Sequence, residues 1–155
     1  MRESRPMELC ELLTPGDVVF SLRASDISAA AAELLRSTLP QHGYKAADVD
    51  RLVKGVLERE RQTSTLCGPI AIPHTRDKEL ERFVAAIGIN PEGVIEGSPV
   101  PRIVVTFVSP DAQRSEHLAL LSSIARLSRD QKAVDGIAEA ADAQAVIDVI
   151  RTHRG

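Results

Sequence analysis

The stretch Leu66–Arg76, LCGPIAIPHTR, decides how the chain is read. A short apolar run, Ile70-Ala71-Ile72, leads through Pro73 to a single histidine, His74. Proline fixes its own φ and pushes the preceding residue toward extended geometry. The spacing therefore predicts a strand ending at Ile72, with His74 at its mouth, where sites in open α/β sheets lie. Upstream, an amphipathic helical pattern closes on Arg59-Glu60. Downstream, a second helical pattern opens at His117. These three features organise the reading of everything else.

The flanking segments supply helices and interior strands. Val49, Leu52, Val53, Val56 and Leu57 recur at i, i+3, i+4, i+7 and i+8, the strongest helical stripe in the chain. Gly55 interrupts it at a cost of roughly 1 kcal/mol relative to Ala, offset where a neighbour needs a close approach. Before it, Ser25 or Asp26 caps a helix carrying Ile27, Ala31, Leu34, Leu35 and Leu39 and stopping at Pro40. Phe83–Ile89 and Ile103–Val108 are nearly unbroken apolar runs, as in strands covered on both faces. Glu8–Leu13 reads as a short helix and Val18–Phe20 as a strand. The last third is helical. Ser115 is a candidate N-cap for a segment turning Leu118, Leu121, Ile124 and Ala125 inward. Asp130–Ala140 follows, then a helix capped by Asp142 with Val146, Val149 and Ile150 on one face. The expected fold class is α/β, one domain over residues 1–155 with helices on both sides of a small mixed sheet.

Composition narrows the function classes. The 155 residues, with a formal net charge of −3, show no basic face for nucleic acid or an anionic membrane. No apolar run approaches the ~20 residues of a membrane span, and no signal-peptide core is visible. Two cysteines without CxxC spacing fit a reducing, cytoplasmic setting. No nucleotide-binding glycine motif occurs, and no cofactor is expected.

His74 is the leading candidate for chemistry, because neutral imidazole is a good nucleophile and its ordinary pKa near 6.5 leaves it neutral in the cytosol. Phosphoryl transfer asks for alignment, cations and donors. Arg59 supplies a cation, and Ser64 and Thr65 supply hydrogen bonds. The plainer alternative is a polar loop histidine. His117, in the first turn of its helix, meets the positive end of the helix dipole, which disfavours imidazolium and favours phosphate. Its alternative is an exposed histidine in a polar turn. Cys67 admits three readings: a nucleophile without a visible base, a Cys67–His74–His117 zinc site matching no structural-zinc spacing, or a small buried side chain. The last is favoured, and no metal is expected.

Three stretches together, RERQTST (Arg59–Thr65), GPIAIPH (Gly68–His74) and SPDAQRSEHLALLSSIARLSRD (Ser109–Asp130), carry a family resemblance. Their order and spacing resemble the fructose/mannitol-type enzyme IIA domains of the bacterial phosphoenolpyruvate:sugar phosphotransferase system. The nitrogen-related IIA branch is nearest in length and layout, and the likeness covers about Leu9 to Ile150. The resemblance implies a five-stranded mixed sheet flanked by helices. It also implies that His74 accepts a phosphoryl group at Nε2 from the carrier HPr or its nitrogen-branch relative, with His117 and Arg59 beside it. Output is then a regulatory protein target or a IIB domain. A third possibility is a binding module that keeps the fold without phosphorylation.

The turn before the histidine differs from the family's usual STGIGNGIAIPH. Here Ser64–His74 reads STLCGPIAIPH, one residue shorter, with Cys67 and Pro69 where glycines stand. Glycine lets backbone amides approach a phosphate, and proline removes a donor. The expectation is an intact fold and slower phosphorylation. The segment Pro91–Val100 also looks shorter than its family counterpart.

Overall fold

A computed structural model describes residues 8–20, 22–24, 26–63, 66–90 and 101–153. The expectations on Ser25, Ser64, Thr65 and Pro91–Val100 lie outside the described residues. In chain order the elements are α1 (Leu9–Leu12), a 3-10 turn (Pro15–Asp17), β1 (Val18–Val19), α2 (Ile27–Gln41) and α3 (Ala46–Gln62). Then come β2 (Leu66–Cys67), β3 (Ile70–Ala71), β4 (His74–Asp77), β5 (Val84–Ile89) and β6 (Ile103–Pro110). The chain closes with α4 (Arg114–Ser128), α5 (Gln131–Ala138) and α6 (Ala143–His153).

The sheet is open and mixed, in the order β1-β5-β6-β3-β2, with β4 also paired to β6. Six strand segments occupy five tracks. Both β3 and β4 run parallel to β6, pairing Ile70 with Ile103 and His74 with Phe107, and the two registers share one offset. They are one strand line interrupted at Ile72-Pro73. The interruption is bridged rather than left open, since the Pro73 carbonyl accepts from the Thr106 hydroxyl (2.8 Å) and the Phe107 amide (3.3 Å). The expectation of a strand ending at Ile72 is thus corrected. Regular pairing stops at Ala71 and resumes at His74, because Pro73 has no amide to give the ladder.

Alternation along β5 and β6 divides the core. Ala85, Ile87, Ile89, Ile103, Val105 and Phe107 pack with α1, α4, α5 and α6 on one face. Val84 and Val108 meet α2 and α3 on the other, and Ala86 and Val104 pack there against α2. Both faces are covered, which explains why these strands lack polar alternation. The α3 stripe buries Val49, Leu52, Val53 and Val56 as its spacing predicts.

Several boundaries differ from expectation. The first helix is only Leu9–Leu12, followed by a 3-10 turn whose Thr14 and Asp17 cap each other. Asp26 accepts from the Ala29 amide as the N-cap of α2, and that helix runs through Pro40 to Gln41. The α4 helix starts before Ser115, with Gln113 as N-cap, and buries His117, Leu120, Ile124 and Leu127. Leu118, expected inward, is 52% exposed. Ile124 is buried as expected and Leu121 packs half-buried against the core, while His117, Leu120 and Leu127 complete the inward stripe. Asp130 and Asp142 both receive amide hydrogen bonds at the starts of α5 and α6.

Candidate functional site

The register of β4 on β6 builds the site. Partners across a parallel pair point to the same face, so His74 lies beside Phe107, and their rings stack at 5.1 Å with 10° between planes. Two residues further along β6, Ser109 points the same way. On α4, His117 comes over this face, its ring 5.1 Å from that of His74 and 5.2 Å from that of Phe107. The three rings form one cluster, and His74 and His117 are only 2% and 6% exposed.

The cation comes from the opposite side of the strand line. Helix α3 crosses β4 at Gly55, where an added Cβ would stand 3.3 Å from the Thr75 methyl. Glycine therefore offsets its helix cost by allowing close packing. One turn later on the same helix face lies Arg59. Arg59, His74, Thr75, Arg76, Asp111 and His117 line a single cleft of about 200 Å³. Arg76 holds Asp111 only loosely, at 3.9 Å. Among the described residues, Arg51 is the more tightly engaged arginine near β4, tied to Asp48, Asp77 and Glu79.

Hydrogen bonding and electrostatics define the states of both rings. His74 Nδ1 is 2.6 Å from the Ile72 carbonyl oxygen, which can only accept, so Nδ1 carries a proton and Nε2 keeps its lone pair in the neutral ring. Burial pushes the His74 pKa below its ordinary value. The Ile72 hydrogen bond opposes that shift, Arg59 adds to it, and Glu60 opposes it. His117 is pushed down to about 4, by burial first and then by His74, Arg76 and Arg59. Near neutral pH both rings are uncharged, and they line a cleft together with two arginines.

Of the residues singled out in the sequence, His74, His117 and Arg59 come together, while Ser64 and Thr65 lie outside the described residues. His117 is the fourth residue of α4, and its amide is already bonded to the Gln113 carbonyl at 3.0 Å, so its side chain alone is available to a ligand. Cys67 is a free, half-buried thiol packed at the edge of the core rather than a fully buried one. Among the described residues no three His, Cys, Asp or Glu side chains group to hold a metal, and Cys67 does not complete a three-ligand set with the two histidines. The altered turn proves to be a two-residue hairpin, in which Cys67 pairs with Ile70 and Gly68 adopts φ +57°. Positive φ at Gly68 followed by negative φ at Pro69 is the type II′ pattern, which favours glycine first, and the second position needs no ladder amide, so Pro69 costs the hairpin no bond.

Sequence alone assigns no site role to Phe107, Asp111 or Ser109. Ser109 Oγ lies 2.6 Å from His117 Nδ1, and Ser109 has no exposed surface. Its signal was the two-residue step from Phe107 along a buried strand, readable only once the register with His74 is known.

The sheet is open, mixed and covered by helices on both faces, and the cleft holding both histidines lies at its broken strand line. The family model "Phosphoenolpyruvate-dependent sugar phosphotransferase system, EIIA 2" matches residues 11–153, and the chain belongs to this family. It is 27% identical over 149 residues to the nitrogen regulatory protein of Bradyrhizobium diazoefficiens, covering 93% of this chain and 95% of that one. It is 26% identical over 152 residues to the fructose-specific EIIABC component of Bacillus subtilis, covering 95% of this chain but only 24% of the longer protein. The crystal structure of nitrogen regulatory protein IIA-Ntr from Neisseria meningitidis superposes with a TM-score of 0.77 at 21% identity, covering 92% of this chain and 98% of that one. At that identity the superposition speaks to the fold. Among the described residues no helix is long and apolar enough to cross a membrane.

Proposed function

We propose that this chain is a phosphoryl carrier that accepts a phosphoryl group on His74 Nε2 from a phosphohistidine protein of the HPr type or its nitrogen-branch relative. The observation carrying this reading is the bond between His74 Nδ1 and the Ile72 carbonyl, which leaves the lone pair on Nε2 of a ring that lines the cleft with Arg59 and Arg76. In the transfer, that lone pair forms the new N–P bond while the donor's N–P bond breaks and its electron pair returns to the donor imidazole. The Nδ1 proton stays on His74, held by Ile72. Arg59 balances the charge on the moving group, and His117 donates to it without becoming phosphorylated. Ser64 and Thr65 are proposed hydrogen-bond donors on the strength of the resemblance.

The proposed output is regulatory. A phosphoryl group adds roughly two negative charges to a cleft flanked by Arg59 and Arg76, enough to change which protein surface docks there. The near full-length match to a nitrogen regulatory protein supports this reading. The match to a fructose-specific EIIABC component supports a second one, delivery of phosphate to a IIB domain. Incubation with phosphoenolpyruvate, enzyme I and HPr, and in parallel with the nitrogen-branch enzyme I and HPr relatives, followed by intact mass measurement at neutral or basic pH, tests the carrier role. One phosphoryl adduct is expected, and an unmodified chain with either HPr-type donor would exclude it. Pull-downs with His74→Ala and His74→Glu baits then separate the outputs. Different partner sets support the switch, whereas phosphate transfer to a IIB domain supports transport.

A further inference from the structure

We propose that Ser109 is a positioning residue that holds neutral His117 as the tautomer protonated on Nε2, so that His117 presents a donor to the cleft. The proposal rests on the carrier reading for its functional consequence, though the tautomer itself does not. Ser109 Oγ and His117 Nδ1 are 2.6 Å apart, so one proton lies between them. Two arrangements fit that distance. If Nδ1 carried the proton, the serine would accept it, and its own hydroxyl hydrogen would need another acceptor. Among the described residues Ser109 Oγ makes no other hydrogen bond, and the residue is fully buried. A buried O–H left without an acceptor is unfavourable, so the hydroxyl donates and Nδ1 accepts. The ring proton then sits on Nε2, the nitrogen turned away from Ser109.

This matters because the two histidines need opposite states. His74 requires a bare Nε2 to attack phosphorus, and the Ile72 carbonyl provides that state by taking its Nδ1 proton. His117 requires a protonated Nε2, because a lone pair there would repel the phosphoryl oxygens. One ring is set by an acceptor and the other by a donor. Both are supplied from the strand line that carries His74 and from its neighbour β6. The depressed pKa of His117 makes the arrangement necessary, since a neutral ring has only one proton to place.

Imidazole nitrogen shifts from two-bond proton–nitrogen correlation NMR on the full chain test this, comparing the parent with Ser109→Ala and Ser109→Thr. The parent should show a pyridine-like Nδ1 and a pyrrole-like Nε2 for His117. In Ser109→Ala the Nδ1 resonance should move away from its hydrogen-bonded position. Phosphoryl transfer should slow about five- to tenfold, the order carried by one neutral hydrogen bond. Ser109→Thr keeps the hydroxyl and should restore both. A protonated Nδ1 in the parent, or an alanine variant matching the parent in shifts and rate, would overturn the proposal. A parent that takes up no phosphate would instead overturn the carrier reading, leaving the nitrogen shifts to decide the role of Ser109.

Discussion

His74 Nδ1 donates to the carbonyl oxygen of Ile72, two residues earlier in the chain, at 2.6 Å. A contact that short-range is possible because the strand line breaks at Ile72-Pro73. In an unbroken parallel ladder the Ile72 carbonyl would face its neighbouring strand rather than a side chain of its own segment. The break therefore gives the histidine both its position and its tautomer.

If the Pro73 carbonyl anchors that break, removing its hydroxyl donor should be felt. Thr106→Val is nearly isosteric and deletes the 2.8 Å bond while leaving the Phe107 amide in place. Stability should fall by about 1 kcal/mol in urea unfolding, the usual net worth of one hydrogen bond. An unchanged midpoint would show that the amide alone holds the break.

Much of this architecture is legible in the sequence. The α3 stripe and the unbroken runs of β5 and β6 come through because burial leaves a periodic imprint. The α4 start does not, because Gln113 caps through its backbone: its carbonyl accepts from the His117 amide, and its side chain makes no capping bond. A search for Ser or Thr caps lands on Ser115 instead. The candidate site is legible as a set of residues but not as a geometry. Pairing His74 with Phe107, and so placing Ser109 under His117, depends on a long-range register that no local pattern encodes.

The buried histidines give stability a pH dependence of definite sign. A folded pKa below the unfolded value near 6.5 has no effect at higher pH, and it destabilises progressively as pH falls, since the unfolded chain binds the proton first. For His117 the loss develops between about pH 6.5 and about 4 and reaches on the order of 3 kcal/mol. His74 adds to it in the same direction. Burial alone would raise the Asp17 carboxyl, but bonds from Thr38, the Thr14 amide, His42 and the Thr14 hydroxyl hold it below its ordinary value. Its contribution is thus lost only at more acid pH. Urea unfolding at pH 7.5, 6 and 5 should show the parent weakening and His117→Asn weakening less. Parallel pH profiles for the two proteins would contradict the assignment.

Gly68 should be the intolerant position of the hairpin. An alanine there meets no neighbour within 4 Å, so only its φ of +57° is at issue. Gly68→Ala should cost about 1 to 2 kcal/mol through left-handed backbone strain, whereas Pro69→Ala should cost less. Thermal unfolding of the two variants distinguishes them, and equal losses would count against the hairpin geometry. A variant with Cys67→Gly, Pro69→Gly and one inserted residue tests the separate expectation of slowed phosphorylation, which a faster transfer rate would support.

Arg59 is expected to act on the moving phosphoryl group rather than on folding. Arg59→Ala should keep its unfolding midpoint within about 0.5 kcal/mol, as for a surface substitution. It should lower transfer from the phosphorylated donor on the order of 10²-fold, comparable to losing one preorganised donor in other group transfers. Arg59→Lys should recover part of the rate. A rate equal to that of the parent would remove Arg59 from the mechanism.

The central claim is that phosphate resides on His74 Nε2. It is tested most directly by phosphorus and nitrogen NMR of the chain after phosphorylation through enzyme I and HPr, with His74→Ala and His117→Ala alongside. The account predicts one Nε2-phosphohistidine at His74 in the parent, the same signal formed more slowly in His117→Ala, and none in His74→Ala. A signal that survives in His74→Ala, or that maps to His117 in the parent, would contradict it.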